Sequence, residues 1–320
     1  MNTKPTVSII CLTFNQEKYV RDCFEGLVMQ QTDFPYEVLV YDDASTDGTP
    51  AIIREYVAKY PHIFKPTLYE ENNYSQGLGY VGLYTGIKEA TGKYVAYCEG
   101  DDYWTDPKKL QKQVDFLEAH PDYEICAHEV IVKYADGREI LYSDFEHNII
   151  VSVKQSNYDF SDILTGNIIH ISSMMYRNFD IKMPWWLYKI SACDMVWFRL
   201  LGEKGKLHLL SDTMSVYRNH MDSLTNSNTE YNSLTNYYCM VSIPVLRLLN
   251  RFWNRKYQEK VYSVIAKYYA ESAWTYLRKS YRDIVQLKKM LRMAMLYDSC
   301  SACWHLTKRV INRIFFRNDN

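Results

Sequence analysis

The stretch Thr6-Val7-Ser8-Ile9-Ile10-Cys11-Leu12-Thr13-Phe14 is apolar, favours extended chain, and ends at Asn15, a good helix N-cap. Beyond it Val20, Phe24, Leu27 and Val28 fall on one helical face, so the segment predicts strand, turn and helix. The unit then repeats. Glu37 to Tyr41 is a second short apolar run. The polar turn Asp42 to Gly48 leads into Thr49-Pro50, read as a cap followed by proline at the first helical position, with Ile52, Ile53, Tyr56 and Val57 at helical spacing. A weaker strand near Phe64 to Tyr69, a helix around Gly82 to Ala90 and a strand Tyr94 to Cys98 continue the alternation. This predicts an α/β fold, a mainly parallel sheet flanked by helices. Ligands of such sheets bind at the carboxyl ends of the strands, where Asp42-Asp43 and Glu99-Gly100-Asp101-Asp102 are both expected.

Further on, Asp106-Pro107 opens a helix with Leu110, Val114 and Leu117 on one face, and residues 125–134 and 139–142 predict a hairpin around Asp136-Gly137. A helix is expected near Asp194 to Gly202 and a strand near Leu207 to Leu210. From Tyr231 the strand patterns give way to helix, and the boundary is placed in the polar stretch Ser223 to Glu230.

The composition is that of a folded protein: 320 residues, 47% hydrophobic, 23% charged, only 12 Gly and 9 Pro, which excludes collagen-like and disordered chains. Met1 to Gln16 carries no small-residue cleavage site, and no apolar run reaches the roughly 18 residues of a membrane span, so a cytoplasmic protein is expected. The 8 Cys are scattered, several in apolar stretches, and read as reduced core thiols. Cys300 and Cys303 have metal-like spacing without a second pair, and also read as helix thiols. The net charge of -1 hides an asymmetry: Arg247 to Asn320 holds 16 Lys and Arg against 5 Asp and Glu. Within that segment Leu306, Val310, Ile314 and Phe315 fall on one helical face, while Lys308, Arg309, Arg313 and Arg317 cover much of the remainder. Such a helix fits an anionic membrane surface or a dock on its own domain. No nucleic-acid motif accompanies it.

Asp101 and Asp102, with Glu99 two residues before them, crowd negative charge at a strand end. A hard divalent cation would neutralise it, or the turn is a solvated cap. The turn Asp42 to Thr49 is unusually polar, and either presents acceptors and donors to a nucleotide or is ordinary turn chemistry.

Together these segments resemble the family 2 glycosyltransferases, which use a nucleotide-diphospho-sugar donor on a GT-A fold. Four motifs carry the resemblance: Val7 to Asn15, Asp42-Asp43-Ala44-Ser45-Thr46-Asp47-Gly48-Thr49, Glu99-Gly100-Asp101-Asp102-Tyr103-Trp104 and Tyr217-Arg218-Asn219-His220. It implies a glycosyltransferase domain over residues 1–225, with a nucleotide half at 1–115 and an acceptor half at 116–225, then a basic helical region at 226–320. By the same resemblance Thr13, Asn15, Glu17, Asp42, Glu99 and Asp101 would bind the donor, with Asp42 nearest the base, and Asp101 would hold Mn²⁺ or Mg²⁺. Two departures stand out: Glu99 replaces the usual Asp, and Leu83-Tyr84 stands where the family often has Arg-Asn. Asp194, opening the apolar run to Leu201, matches the position of the family's catalytic base and is also a plain N-cap candidate. His220 reads as a second metal ligand or an incidental loop histidine, with Arg218 as its charge partner, and Trp185-Trp186 as a place for sugar stacking.

The resemblance implies an inverting, metal-dependent hexosyltransferase of surface polysaccharide or glycolipid assembly. Its acceptor would be a saccharide or lipid-linked saccharide, with peripheral contact to the inner face of an anionic membrane through residues 247–320. The rivals are a nucleotidyltransferase, whose Gly-rich basic loop is missing from residues 11–25, and a non-catalytic carbohydrate-binding protein on the same fold.

Overall fold

The computed structural model describes residues 4–144, 155–166, 168–190, 193–220, 237–279, 284–298 and 302. The chain divides into two compact units, Met1–His220 and Met221–Asn320. In the first, β1 (Val7–Thr13), β2 (Tyr36–Asp42), β3 (Phe64–Leu68) and β4 (Tyr94–Tyr97) pair in parallel in the order β3-β2-β1-β4. Helices α1 (Val20–Val28), α2 (Thr49–Lys59) and α3 (Val81–Glu89) connect them. β1 is buried on both faces, which is why it reads as a continuous apolar run. Val7, Ile9 and Cys11 pack with Val20, Phe24 and Leu27 of α1 and Ile53 and Tyr56 of α2. The thiols of Cys11, Cys23 and Cys98 meet in this core, Cys23 Sγ lying 3.8 Å from Cys11 Sγ and 3.7 Å from Cys98 Sγ.

The acidic turn after β4 leads to the two-residue β5 (Tyr103–Trp104), α4 (Lys109–Ala119), β6 (Tyr123–Tyr134) and β7 (Glu139–Leu141). Then follow β8 (Asn157–Tyr158), α5 (Phe160–Thr165), β9 (Met175–Arg177), α6 (Cys193–Gly202) and β10 (Lys206–Asn219). β9 enters antiparallel between β4 and β6, and β10 lies between β6 and β5, completing the order β3-β2-β1-β4-β9-β6-β10-β5. α1 seats directly on β5 at Gly26, where an added Cβ would lie 2.8 Å from the Trp104 carbonyl oxygen. Any larger residue there would push the helix off the strand.

Three local expectations are corrected. Asn15 does not cap α1: it takes φ 51°, and the helix starts at Val20 behind Tyr19. Thr49 does not cap α2 either, because Gly48 does, leaving Thr49 and Pro50 as the first two helical residues. Both side chains are drawn to the facing loop, Asn15 Oδ1 accepting from Thr46 N at 2.8 Å and Thr49 Oγ1 from Gln16 N at 2.8 Å. The strand expected at Leu207 to Leu210 runs on to Asn219 through register shifts between Leu210 and Ser215, so Tyr217-Arg218-Asn219 ends a strand.

The second unit has a short π-helix at Tyr237–Ser242, then α7 (Ile243–Phe252), α8 (Gln258–Lys279) and α9 (Ile284–Tyr297). Leu246 and Leu249 of α7, Val261 and Ile265 of α8 and Ala294 of α9 are buried in it, and the Tyr238 and Tyr268 rings stack at 4.4 Å. Among the described residues no helix is long and apolar enough to cross a membrane. Cys300, Cys303 and the amphipathic segment 304–317 lie outside the described residues.

Lys109, the first residue of α4, is fully buried, its Nζ donating to Gln113 Oε1 at 2.8 Å and lying 3.8 Å from the Trp104 ring centroid. Burial lowers its pKa to about 7. Between that value and the unfolded lysine near 10.4 the unfolded chain binds more protons, so this group makes stability rise with pH and weakens it below 7. Lys109→Met should therefore melt above the wild type at pH 7, and the gap should close toward pH 10 by about 1.4 kcal/mol per unit. Parallel pH profiles of the two proteins in denaturant titrations would contradict the burial cost.

Candidate active site

The site is built at the carboxyl edge of the parallel strands. β1 ends at Thr13, β2 at Asp42, and the acidic turn Glu99 to Asp102 follows β4. The loops after β1 and β2 are tied together by a ladder. Asn15 N donates to Ser45 Oγ at 2.8 Å, Glu17 N to Asp47 Oδ2 at 3.0 Å, and Gly48 N to Glu17 Oε2 at 2.7 Å. Asp42 lies beneath the ladder at 1% exposure. Its Oδ1 accepts from the Thr13 hydroxyl at 2.8 Å and from the Ser45 hydroxyl at 2.6 Å, and its Oδ2 from Ser45 N at 3.0 Å. These bonds hold the turn while Ala44 takes φ 60°, a conformation that favours glycine. Asp43 fixes the next loop, accepting from Asn73 N at 2.9 Å and Tyr74 N at 3.0 Å. Thr13 and Asp42 are thus buried supports, whereas Asn15 and Glu17 are exposed, as is Phe14 beside them.

The acidic turn lies hard against the first loop. Gly100 N donates to the Leu12 carbonyl at 2.9 Å, and a Cβ on Gly100 would crowd Gln16 Oε1 and lie 2.8 Å from Thr13 Cγ2, so a larger residue there would have to shift those side chains. The carboxylates of Glu99, Asp101 and Asp102 offer oxygens within 4.8 Å of one another. His220 brings Nε2 to 3.2 Å from Asp101 Oδ2. Asp102 is buried; its Oδ1 accepts from Arg218 N at 3.0 Å, while its Oδ2 has no hydrogen-bond partner and lies 3.7 Å from His170 Nδ1. Burial, reinforced by Asp101 and Asp194, raises Glu99 to about 8, and burial with the charges of Asp101 and Glu99 raises Asp102 well above the usual range. Burial lowers His170 to about 4, so it is neutral at physiological pH and does not relieve the repulsion. Oxygen donors, one imidazole and an orphaned buried carboxylate oxygen fit a hard divalent cation.

Asp194 sits in the first turn of α6. Its surface opens to solvent, yet the surrounding protein desolvates the carboxyl and raises its pKa, and its charge acts on both Glu99 and Tyr142. Asp194 and Glu99 are therefore near enough for their charges to act on each other. Leu83 is buried in the core and Lys88 covers the Tyr84 ring at 4.2 Å, so the Leu83-Tyr84 pair presents no positive charge of its own. Trp185 is 71% exposed, with Lys189 Nζ 5.5 Å from its ring centroid. Sequence reasoning does not single out His170 or Tyr142, since a lone histidine or tyrosine carries no spacing signal. Arg218, named there only as a partner of His220, instead clasps the acidic turn.

A parallel sheet with a nucleotide-type loop pair and an acidic turn at its carboxyl edge, extended by an antiparallel strand, is the GT-A fold. Two solved structures share the fold at low sequence identity. Staphylococcus aureus TarS 1-349 matches with a TM-score of 0.62 at 20% identity over 95% of this chain and 84% of that one. The mannosyltransferase PcManGT of Pyrobaculum calidifontis, solved with GDP-Man and Mn²⁺, matches with a TM-score of 0.51 at 17% identity, covering 99% of this chain and 89% of that one. A sequence profile of glycosyl transferase family 2 matches residues 8–182, and the chain belongs to that family. An uncharacterized protein of Mycobacterium tuberculosis, Rv1520, is 37% identical over 234 residues, 69% of this chain and 61% of the relative's length. The chain thus spans less than two thirds of that relative.

Proposed function

We propose that the chain is an inverting glycosyltransferase that moves a sugar from a nucleotide-diphospho-sugar to an acceptor hydroxyl in surface polysaccharide or glycolipid assembly. The observation that carries this reading is the gathering of Glu99, Asp101, Asp102 and His220 at the sheet edge of a family 2 chain, with Asp194 near enough for its charge to act on Glu99. Complexes of TarS with UDP and UDP-GlcNAc, and of PcManGT with GDP-Man, support a nucleotide-sugar donor.

In this reading Asn15 and Glu17 meet the donor from the exposed loop, Thr13 and Asp42 hold that loop from beneath, and Phe14 offers its ring to the base. Asp101 and His220, with Glu99 beside them, would hold Mn²⁺ or Mg²⁺. That ion, when bound, supplies the positive charge that the departing diphosphate needs. The acceptor oxygen attacks the anomeric carbon as the carbon–oxygen bond to the diphosphate breaks, and Asp194 takes the hydroxyl proton. A raised pKa suits that task, because it makes the ionised carboxylate a stronger base. Peripheral membrane contact through the basic residues 247–320 belongs to the same proposal, and flotation of the protein with anionic liposomes at low salt tests it.

The donor is tested by thermal shift against a panel of uridine, guanosine and thymidine diphospho-sugars, with and without Mn²⁺. One class should raise the melting temperature by several degrees, since ligand at a hundredfold excess over Kd adds about 2.7 kcal/mol, and Mn²⁺ should enlarge the shift. No shift with any donor would overturn the reading.

A further inference from the structure

We infer that Arg218 and Asp22 form a latch that holds the acidic turn in its cation-binding shape, an inference that rests on the metal reading above. Arg218, at the end of β10, touches the last two residues of the turn and the first residue of β5. Its backbone N donates to Asp102 Oδ1 at 3.0 Å, its Nη1 donates to the Asp101 carbonyl at 2.7 Å, and its guanidinium lies 4.2 Å from the Tyr103 ring centroid. On the other side Nη2 donates to Asp22 Oδ2 of α1. Tyr19, at the start of that helix, lies 5.3 Å from the guanidinium, and its ring meets that of His220 in a tilted contact with centroids 4.8 Å apart.

Both Nη atoms thus point to acceptors of the protein itself, and the side chain is 15% exposed, which suits a brace. The brace has something to resist, because a cation needs the carboxyls of Glu99, Asp101 and Asp102 ionised within 4.8 Å of one another, and a free turn would relieve that repulsion by opening. Its anchor is firm. Asp22 and Gly26 are four residues apart and share a face of α1, and Gly26 seats that helix on the Trp104 backbone. Asp22 itself is 62% exposed, so it contributes little to packing and its role is to hold Arg218. Arg218 is a positioning residue: it fixes the Asp101 backbone and, through Tyr19, the His220 ring. Lysine cannot replace it, since a single ammonium cannot reach two acceptors in the fixed fork of a guanidinium.

The test is Mn²⁺ affinity, by calorimetry, of the full chain and of Arg218→Lys and Asp22→Asn, with metal-free melting curves alongside. Working at about 0.5 M salt screens the through-space attraction of an exposed carboxylate for the ion. Arg218→Lys should weaken Mn²⁺ binding about 10-fold or more, the scale of outer partners of metal ligands, and Asp22→Asn at least about threefold with unchanged melting. Wild-type affinity in Asp22→Asn overturns the latch and leaves the metal reading standing. Failure of the wild type to bind Mn²⁺ overturns both.

Discussion

Asp101→Ala should abolish sugar transfer while leaving the metal-free protein as stable as the wild type. Asp101 lies on a turn and is only partly buried, and its side chain meets His220 instead of the hydrophobic core. After burial, its charge is the largest cause that raises both Glu99 and Asp102, so its removal relieves repulsion in the metal-free site. The metal-free melting temperature should therefore hold or rise, while stabilisation by Mn²⁺ and release of nucleoside diphosphate are both lost. The two measurements separate function from folding. Full activity in Asp101→Ala, or in the wild type with EDTA, would show that transfer needs no metal at this turn.

The second large effect is expected at Asp194. Asp194→Asn keeps the shape of the side chain but cannot accept the acceptor proton, so turnover should fall by roughly 10²- to 10⁴-fold with donor affinity retained. Donor binding is measured by the same thermal shift and turnover by diphosphate release. Because Asp194 raises Glu99, the substitution should also lower the Glu99 carboxyl toward the ordinary range. A variant with wild-type turnover and a melting temperature several degrees lower would identify Asp194 as a stabilising acidic residue in the first turn of α6 and no more.

The βα alternation from Val7 to Tyr97 is legible in the sequence because β1, β2 and β4 are mainly apolar, buried runs bounded by polar turns, a signal that β3 carries only weakly. The acidic turn is legible as a cluster, three carboxylates in four residues after a strand, while the pattern alone leaves open a cation site and a solvated cap. Capping at Asn15 and Thr49 is not legible, because their side chains bond across to a loop about thirty residues away, and nothing in the local pattern records that choice. The hydrogen bonds of Asp42 to Thr13 and Ser45 are not legible either, since that contact set is visible only when β1 and β2 lie side by side. Arg218 reaches Asp22 across 196 positions of sequence, so its grip on the turn has no local signature at all.

The proposed chemistry stands or falls on a direct displacement at the anomeric carbon by a hydroxyl that Asp194 deprotonates. The decisive measurement is the proton NMR spectrum of the product formed from the preferred donor and its acceptor, read at the anomeric coupling. The product should carry the sugar with the anomeric configuration opposite to that of the donor, and free nucleoside diphosphate should appear in equal amount. Retained configuration, or nucleotide found attached to the acceptor, would contradict it.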